Sequence, residues 1–259
     1  MLKYRVALII ILCFGMKGGW TQTGTICLTY DDGLPSHLQT VIPQLDSFGI
    51  KGTFFLNSIQ GASDHIGESS PWVTGWRKAA ANGHELANHT LFHPCPEKFG
   101  WSQEAAIDRY DTSRLFAEIR TQASLLDAID PSHTARTFAY PCNNTIVAGI
   151  DYAVLLQEKK LFEFARAGGD STSVIVDRKK LDPMKVPGWM VEEGTTLQQL
   201  IAFAEKAKAA NGIAIYQFHG IGAEFFRISA ETHRLFLSYL RSQPEAFKIV
   251  TFSSAMRDR

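Results

Sequence analysis

Short apolar segments alternate with amphipathic segments along the chain, and this alternation most restricts the folds available to it. The apolar segments are rich in β-branched and aromatic residues, as expected of buried strands. They occupy residues 25–30, 52–56, 85–87, 137–140, 162–165, 213–218 and 247–252. The spacing of apolar residues between them predicts helices over residues 37–48, 72–81, 103–129, 146–158, 197–210 and 230–242.

Strands that alternate with helices form parallel sheets with helical crossovers. About seven such units fit a barrel better than a short open sheet. We therefore predict an α/β fold, an irregular (β/α) barrel of about seven parallel strands. No internal repeat or low-complexity linker divides the chain, so we expect one catalytic domain over residues 23–259.

Residues 1–22 have the composition of a secretory signal peptide. Lys3 and Arg5 precede an apolar run at residues 6–14, which is too short to span a bilayer. We expect cleavage after this run, with an uncleaved anchor as the alternative. The protein is then expected to be secreted or periplasmic, with no stable membrane span after signal cleavage.

The charge balance excludes several classes of partner. The chain carries 26 basic and 26 acidic residues, which are scattered rather than grouped, and 45% of its residues are hydrophobic. Such a chain can bury a large core. Neither a nucleic-acid-binding surface nor a polybasic membrane patch is indicated, and a neutral substrate fits best.

Polar residues follow several predicted strands, where the active face of a (β/α) barrel lies. Asp31 and Asp32 end the first strand, His89 and His93 follow the third, and His219 follows the strand at residues 213–218. We expect these side chains to meet at one rim of the barrel.

His89 and His93 are four residues apart, which places two imidazoles on one side of a helical turn, as a shared metal ion requires. Asp32 supplies a third ligand. Two histidines and one carboxylate leave coordination positions open, which is typical of catalytic sites. Asp31 is then available as a general base. Zinc is the expected cofactor, with cobalt, nickel and manganese as alternatives.

Four segments are similar, in order and interval, to the first, second, third and fifth motifs of the metal-dependent polysaccharide deacetylases, carbohydrate esterase family four. They are TYDDG (29–33), GHELANHTLFHP (83–94), FAYPCN (138–143) and YQFHGIG (216–222). The resemblance implies that Asp31 is the catalytic base and that Asp32, His89 and His93 are metal ligands. His219 matches the general acid that protonates the departing amine or alcohol.

The resemblance also implies roles for residues around the reacting centre. The backbone N–H of Cys142 matches the group that stabilises the oxyanion together with the metal. Trp189 and Tyr140 are expected to form walls of the substrate groove.

The resemblance is incomplete at two motif positions and in the fourth motif, of which LDPMKVPGWM (181–190) provides only part. Ala139 stands where the third motif usually has an arginine that contacts the base, and Arg166, at the predicted end of the next strand, is the expected replacement. Gln217 stands where the fifth motif has a leucine beside the acetyl methyl.

Two cysteines each follow a motif, on loops that are expected to converge at the metal. We expect a disulfide between Cys95 and Cys142, with two reduced buried thiols as the alternative. Cys27, inside the first predicted strand, is expected to stay unpaired.

These residues predict a metal-dependent hydrolase that removes N- or O-acetyl groups from an acetylated polysaccharide or oligosaccharide. Two alternatives remain. A catalytically impaired carbohydrate-binding protein on the same fold would account for Ala139, Gln217 and the incomplete fourth motif, although the intact Asp31 and His219 argue against it. A small-amide amidohydrolase would share the site but would need a closed pocket rather than a groove.

Overall fold

The computed structural model describes residues 22–58, 70–133 and 135–258. The expected signal peptide lies outside these residues, apart from residue 22. Within the described ranges, none of the helices combines the length and the apolar character that a membrane crossing requires.

The described part of the chain contains ten strands and seven α-helices. The strands are β1 (Gly24–Asp31), β2 (Thr53–Leu56), β3 (Glu85–Asn88), β4 (Phe138–Ala139), β5 (Ile146–Val147), β6 (Ile150–Asp151), β7 (Ala165–Gly169), β8 (Val186–Met190), β9 (Ile213–Phe218) and β10 (Phe247–Ile249). The helices are α1 (Ile42–Ser47), α2 (Pro71–Ala81), α3 (Thr112–Ile129), α4 (Tyr152–Glu158), α5 (Leu197–Ala209), α6 (Ala230–Arg241) and α7 (Phe252–Arg257). A π-helical turn at His37–Val41 leads into α1.

Seven parallel strands close into a barrel in the order β1, β2, β3, β4, β7, β8 and β9, and the pairing of β9 with β1 completes the ring. Strand β10 also runs parallel to β1, beside its first residues. Strands β5 and β6 form a separate antiparallel hairpin. The prediction of a (β/α) barrel with about seven strands is therefore confirmed.

Alternation along the strands divides the buried residues between two sides of the barrel wall. Cys27, Phe55, Ala87 and Ile215 belong to one buried cluster, which fills the ring and meets α7. The alternate residues of the same strands pack against the surrounding helices in a larger cluster. The site described below lies at the ends of these strands, on the same inward-facing side.

Two predicted helices begin later than expected, because acidic N-caps start them. Helix α3 starts after Asp111, whose carboxylate accepts a hydrogen bond from the Arg114 N–H at 2.7 Å. Asp151 likewise caps α4. The residues before it, predicted as helix, form the β5–β6 hairpin, in which Ala148 and Gly149 turn the chain at positive φ.

The predicted and observed strands also differ in three places. The strand predicted at residues 162–165 lies instead at β7, and strand β8 was not predicted. Pro187 and Gly188 within β8 are residues that usually interrupt strands, which hid it from pattern analysis. Residues 250–252, predicted as strand, lead from β10 into α7.

Candidate metal and catalytic site

The two adjacent aspartates diverge because the backbone turns between them. Asp31 is the last residue of β1, whereas Asp32 has a φ of 80° and its N–H donates to the Phe55 carbonyl at 2.9 Å. Aspartate tolerates this left-handed conformation better than most residues. The carboxylates of Asp31 and Asp32, which would repel each other, therefore lie in different surroundings.

Asp32, His89 and His93 form a set of ligand atoms of the size that a metal ion needs. The Asp32 Oδ1 lies 3.3 Å from the His93 Nε2 and 3.6 Å from the His89 Nε2. A four-coordinate zinc ion with bonds of about 2.1 Å separates its ligand atoms by about 3.4 Å. The three residues therefore fit a divalent cation.

The protonation of the two histidines also suits a metal. The His89 Nδ1 donates to the Ala139 carbonyl at 2.8 Å, which leaves the Nε2 lone pair for the ion. Burial lowers the pKa of both His89 and His93 to about 4. Both are then neutral at physiological pH, as metal ligands must be. Asn57 supports the third ligand by donating its Nδ2–H to the Asp32 Oδ1 at 2.9 Å.

A second group of ligand-type atoms lies beside the first but does not offer a metal site. It consists of His93, Cys95 and Cys142. The two cysteines are joined in a disulfide, with their Cα atoms 5.7 Å apart. This bond links the loop that carries His93 to the loop that carries Cys142. Cys27 is a free, buried cysteine.

Asp31 is held by two side chains from other strands. The Arg166 Nη2 and the Gln217 Nε2 both donate to its Oδ2, the latter at 3.1 Å. Burial tends to raise the pKa of Asp31, but the charge of Arg166 and its hydrogen bond bring it below its usual value. Asp31 is therefore ionised, as a general base must be.

Arg166 reaches Asp31 from the strand next to β4. It pairs in register with Ala139, the position where the resemblance led us to expect an arginine. Its guanidinium is fully buried and lies 5.0 Å from the centre of the Phe55 ring. A Cβ at Gly188 would lie 3.0 Å from the Arg166 Cδ, so the glycine makes room for this side chain.

Asp32 differs from its neighbour because, among the described residues, the basic side chains paired with it are His89 and His93 rather than an arginine. Burial raises the pKa of its carboxyl, although His89 and His219 oppose the effect. A cation bound at Asp32 would favour the ionised form.

His219 follows β9 and is fixed through its backbone. Its carbonyl accepts a hydrogen bond from the His37 Nε2 at 2.9 Å. Its buried Nδ1 has no hydrogen-bond partner among the described residues, so no described carboxylate orients the ring through that nitrogen. The rings of Phe225 and Phe226 lie 5.9 and 5.3 Å from the His219 ring.

These residues share one pocket of about 710 Å³. Its walls also include residues of the loops that follow the strands. The full lining is Asp31, Asp32, His89, His93, Phe99, Trp101, Cys142, Asn143, Met190, Gln217, His219, Phe225 and Phe226. The backbone of Cys142 turns at this wall with a φ of 51°.

Two residues expected to form groove walls lie elsewhere. Trp189 is buried against Phe203 and Tyr216, with ring centres 5.2 and 5.8 Å away. Its alternate neighbour Met190 lines the pocket instead. Tyr140 is also buried, and its hydroxyl donates to the Met184 carbonyl at 2.8 Å. The expectation that Trp189 and Tyr140 line the groove is therefore wrong.

Sequence reasoning missed several residues that the pocket uses. Asn57 and His37 act on site residues through single hydrogen bonds, which leave no sequence signal. The aromatic wall had a weak signal, because Phe225 and Phe226 follow closely on the motif that contains His219.

Comparison with known proteins gives a consistent result. A family model described as polysaccharide deacetylase matches residues 18–148, about half of the chain. A chitin deacetylase from Colletotrichum lindemuthianum is 32% identical over 74 residues. That match spans 29% of this chain and 29% of the relative.

Solved structures share the fold at low identity. The catalytic domain of a peptidoglycan N-acetylglucosamine deacetylase from Eubacterium rectale has a TM-score of 0.54 at 15% identity, covering 89% of this chain and 90% of its own. A CE4 family pseudoenzyme from Bacillus anthracis has a TM-score of 0.55 at 14% identity. The match covers 92% of this chain and 67% of the pseudoenzyme. The family model matches about half of the chain, and the structure has a closed barrel of seven strands. This chain therefore belongs to the polysaccharide deacetylase family.

Proposed function

We propose that this protein is a metal-dependent hydrolase that removes acetyl groups from an acetylated polysaccharide or oligosaccharide. Family membership supports deacetylation. One observation carries the rest of the proposal: a metal-sized ligand set, an ionised carboxylate and a histidine converge in one pocket. This combination suits hydrolysis of an acyl bond.

Asp31 is the residue that takes the proton of the attacking water. Arg166 and Gln217 occupy its Oδ2, whereas its Oδ1 has no hydrogen-bond partner among the described residues. Oδ1 is therefore the oxygen that accepts the proton. Because Oδ2 is held from two strands, the carboxylate needs little rearrangement to act.

Asp32, His89 and His93 would hold the cation, which supplies Lewis acidity at the acetyl carbonyl. The contacts from Ala139 and Asn57 orient two of these ligands. Such supporting contacts commonly set the affinity of a metal site.

His219 is the group that returns a proton to the substrate. It lines the pocket, and we assign its Nε2 as the nitrogen that acts on substrate. As the acyl bond breaks, Nε2 protonates the departing amine or alcohol. The backbone N–H of Cys142, at the pocket wall, is the proposed second donor to the oxyanion.

Two contacts favour an enzyme over an impaired binding protein. Ala139, Gln217 and the incomplete fourth motif were the sequence arguments for impairment, and the structure bears on the first two. Arg166 now supplies a cation to Asp31 from the neighbouring strand, and Gln217 itself holds that carboxylate. The sharing of this fold with a pseudoenzyme makes a direct test of turnover necessary.

We also propose that the protein is exported. The support is the composition of residues 1–22 and the disulfide between Cys95 and Cys142, which suits an oxidising compartment. Expression with the leader intact, followed by N-terminal sequencing of the protein outside the cytoplasm, tests this proposal.

Acetate release from a panel of N- and O-acetylated glycans tests the function. The protein is assayed after chelation, after addition of zinc, and as the Asp31→Asn variant. We expect zinc-dependent release that falls by about 100-fold or more in the variant.

Asp258→Asn is the matched control, because Asp258 is exposed, does not line the pocket and has Lys248 as its ion-pair partner among the described residues. It should keep full activity. Bound metal with no acetate from any glycan would favour the binding protein, and turnover of small amides alone would favour an amidohydrolase.

A further inference from the structure

We infer that Gln217 is a specificity-determining residue whose Oε1 accepts a hydrogen bond from the amide N–H of the substrate. The site would then prefer N-acetyl over O-acetyl groups. This inference rests on the proposed function, because it assumes hydrolysis of an acetyl group beside Asp31.

The contact with Asp31 settles how the Gln217 amide is turned. A carboxylate oxygen only accepts hydrogen bonds, so the atom 3.1 Å from the Asp31 Oδ2 must be Nε2. The other end of the same planar amide is Oε1. It therefore lies in the immediate surroundings of the catalytic base.

The Oε1 atom is buried and has no hydrogen-bond partner among the described residues. Gln217 is 4% exposed and belongs to the pocket wall. Proteins rarely leave a buried polar atom unpaired without a reason. A donor brought by the substrate would supply the missing partner.

The chemistry of the scissile bond selects the donor. An acetamido group carries one N–H at the bond to be broken, whereas an acetate ester carries only an oxygen acceptor there. The ester would place a second acceptor against Oε1 and leave both unpaired. Sites with a buried group that pairs with a substrate N–H reject analogues that lack it.

A matched pair of substrates measures this preference. An oligomer of 2-acetamido-2-deoxyglucose is compared with the same oligomer of 2-O-acetylglucose, as kcat/KM for the wild type and for Gln217→Met. Methionine has a similar length and removes both ends of the amide. Both substrates should lose activity, because Gln217 also holds Asp31.

The ratio of the two kcat/KM values separates substrate recognition from positioning of the base. We expect the ratio of acetamide to ester to fall by about tenfold or more in Gln217→Met. If one compound is not cleaved, its inhibition constant against the other supplies the comparison. Gln157→Met, the same change on the exposed side of α4, should leave the ratio unaltered.

Equal losses for the two substrates in Gln217→Met would overturn the inference and leave Gln217 as a support for Asp31. A wild type that releases acetate from neither compound, with metal bound, contradicts the proposed function instead. Thermal unfolding of each variant distinguishes these results from loss of the fold.

Discussion

The two ends of the barrel differ in how completely their buried and half-buried polar groups are paired. At the lower end, where the strands begin, Glu85 accepts hydrogen bonds from the hydroxyls of Thr137 and Thr53, at 2.6 and 2.9 Å, and from the Ser253 N–H at 2.9 Å. At the upper end, where the strands finish, several buried atoms have no partner among the described residues. They are Asp31 Oδ1, Arg166 Nε and Nη1, Gln217 Oε1 and His219 Nδ1.

The backbone shows a similar difference, although Lys160 and Asn211 also have positive φ just before strands at the lower end. Several non-glycine residues with positive φ follow strands at the upper end. They are Asp32, Thr90, His93, Cys142, Asn143, Glu224 and Phe226. Such conformations and unpaired atoms cost stability and concentrate at functional sites. The lower end therefore stabilises the barrel, while the upper end gives up stability to keep groups available for substrate.

The largest effect should come from Arg166→Met, which removes the cation that pairs with Asp31 at the upper end. The carboxylate is then buried without a cation, so the free energy of unfolding should fall by about 3–5 kcal/mol. Displacement of the base should lower kcat by about 100-fold. Urea unfolding and acetate release measure the two effects.

A double variant tests whether the position of the charge matters or only its presence. Ala139 is the register partner of Arg166, so Ala139→Arg combined with Arg166→Ala returns a guanidinium from the adjacent strand. We expect it to recover part of the lost kcat. No recovery would indicate that Asp31 needs the specific approach from β7.

The next largest effect should follow removal of the disulfide at the upper end, in Cys95→Ser with Cys142→Ser. The two cysteines are 47 residues apart, and opening a loop of this size lowers stability by about 2–4 kcal/mol. Thermal unfolding in the oxidised and reduced wild type provides the matched comparison. A double variant as stable as the oxidised protein would show that the bond does not restrain these loops.

At the lower end, Glu85→Gln should lower stability without changing catalysis. The glutamine amide would place N–H groups against hydrogen-bond donors that a carboxylate accepts in the wild type. The free energy of unfolding should fall by about 1–3 kcal/mol. The kcat should stay at the wild-type value. A clear fall in kcat with little loss of stability would contradict the division of roles between the two ends.

The smallest effect should come from Asn57→Ala, which removes a hydrogen bond to the ligand Asp32. Metal affinity should fall by about tenfold, because supporting contacts orient metal ligands. Titration with zinc against a competing chelator measures it. Asn82→Ala, which breaks a similar contact to the carboxylate of Asp46 far from the pocket, should leave the affinity unchanged.

Local patterns in the sequence determined the barrel and the residues most directly concerned with chemistry. Alternation of strand and helix depends on neighbours along the chain, and so does the four-residue spacing of His89 and His93. Asp31, Asp32 and His219 could also be found because each ends or follows a strand whose direction was predictable.

The tertiary structure alone decided how these residues are supported. The contacts of Arg166 and Gln217 with Asp31 join residues 135 and 186 positions apart. They depend on strand order and register, as does the outward placement of Trp189. One chain of alternating segments is compatible with many registers, and only the closed barrel selects the one that brings these side chains together.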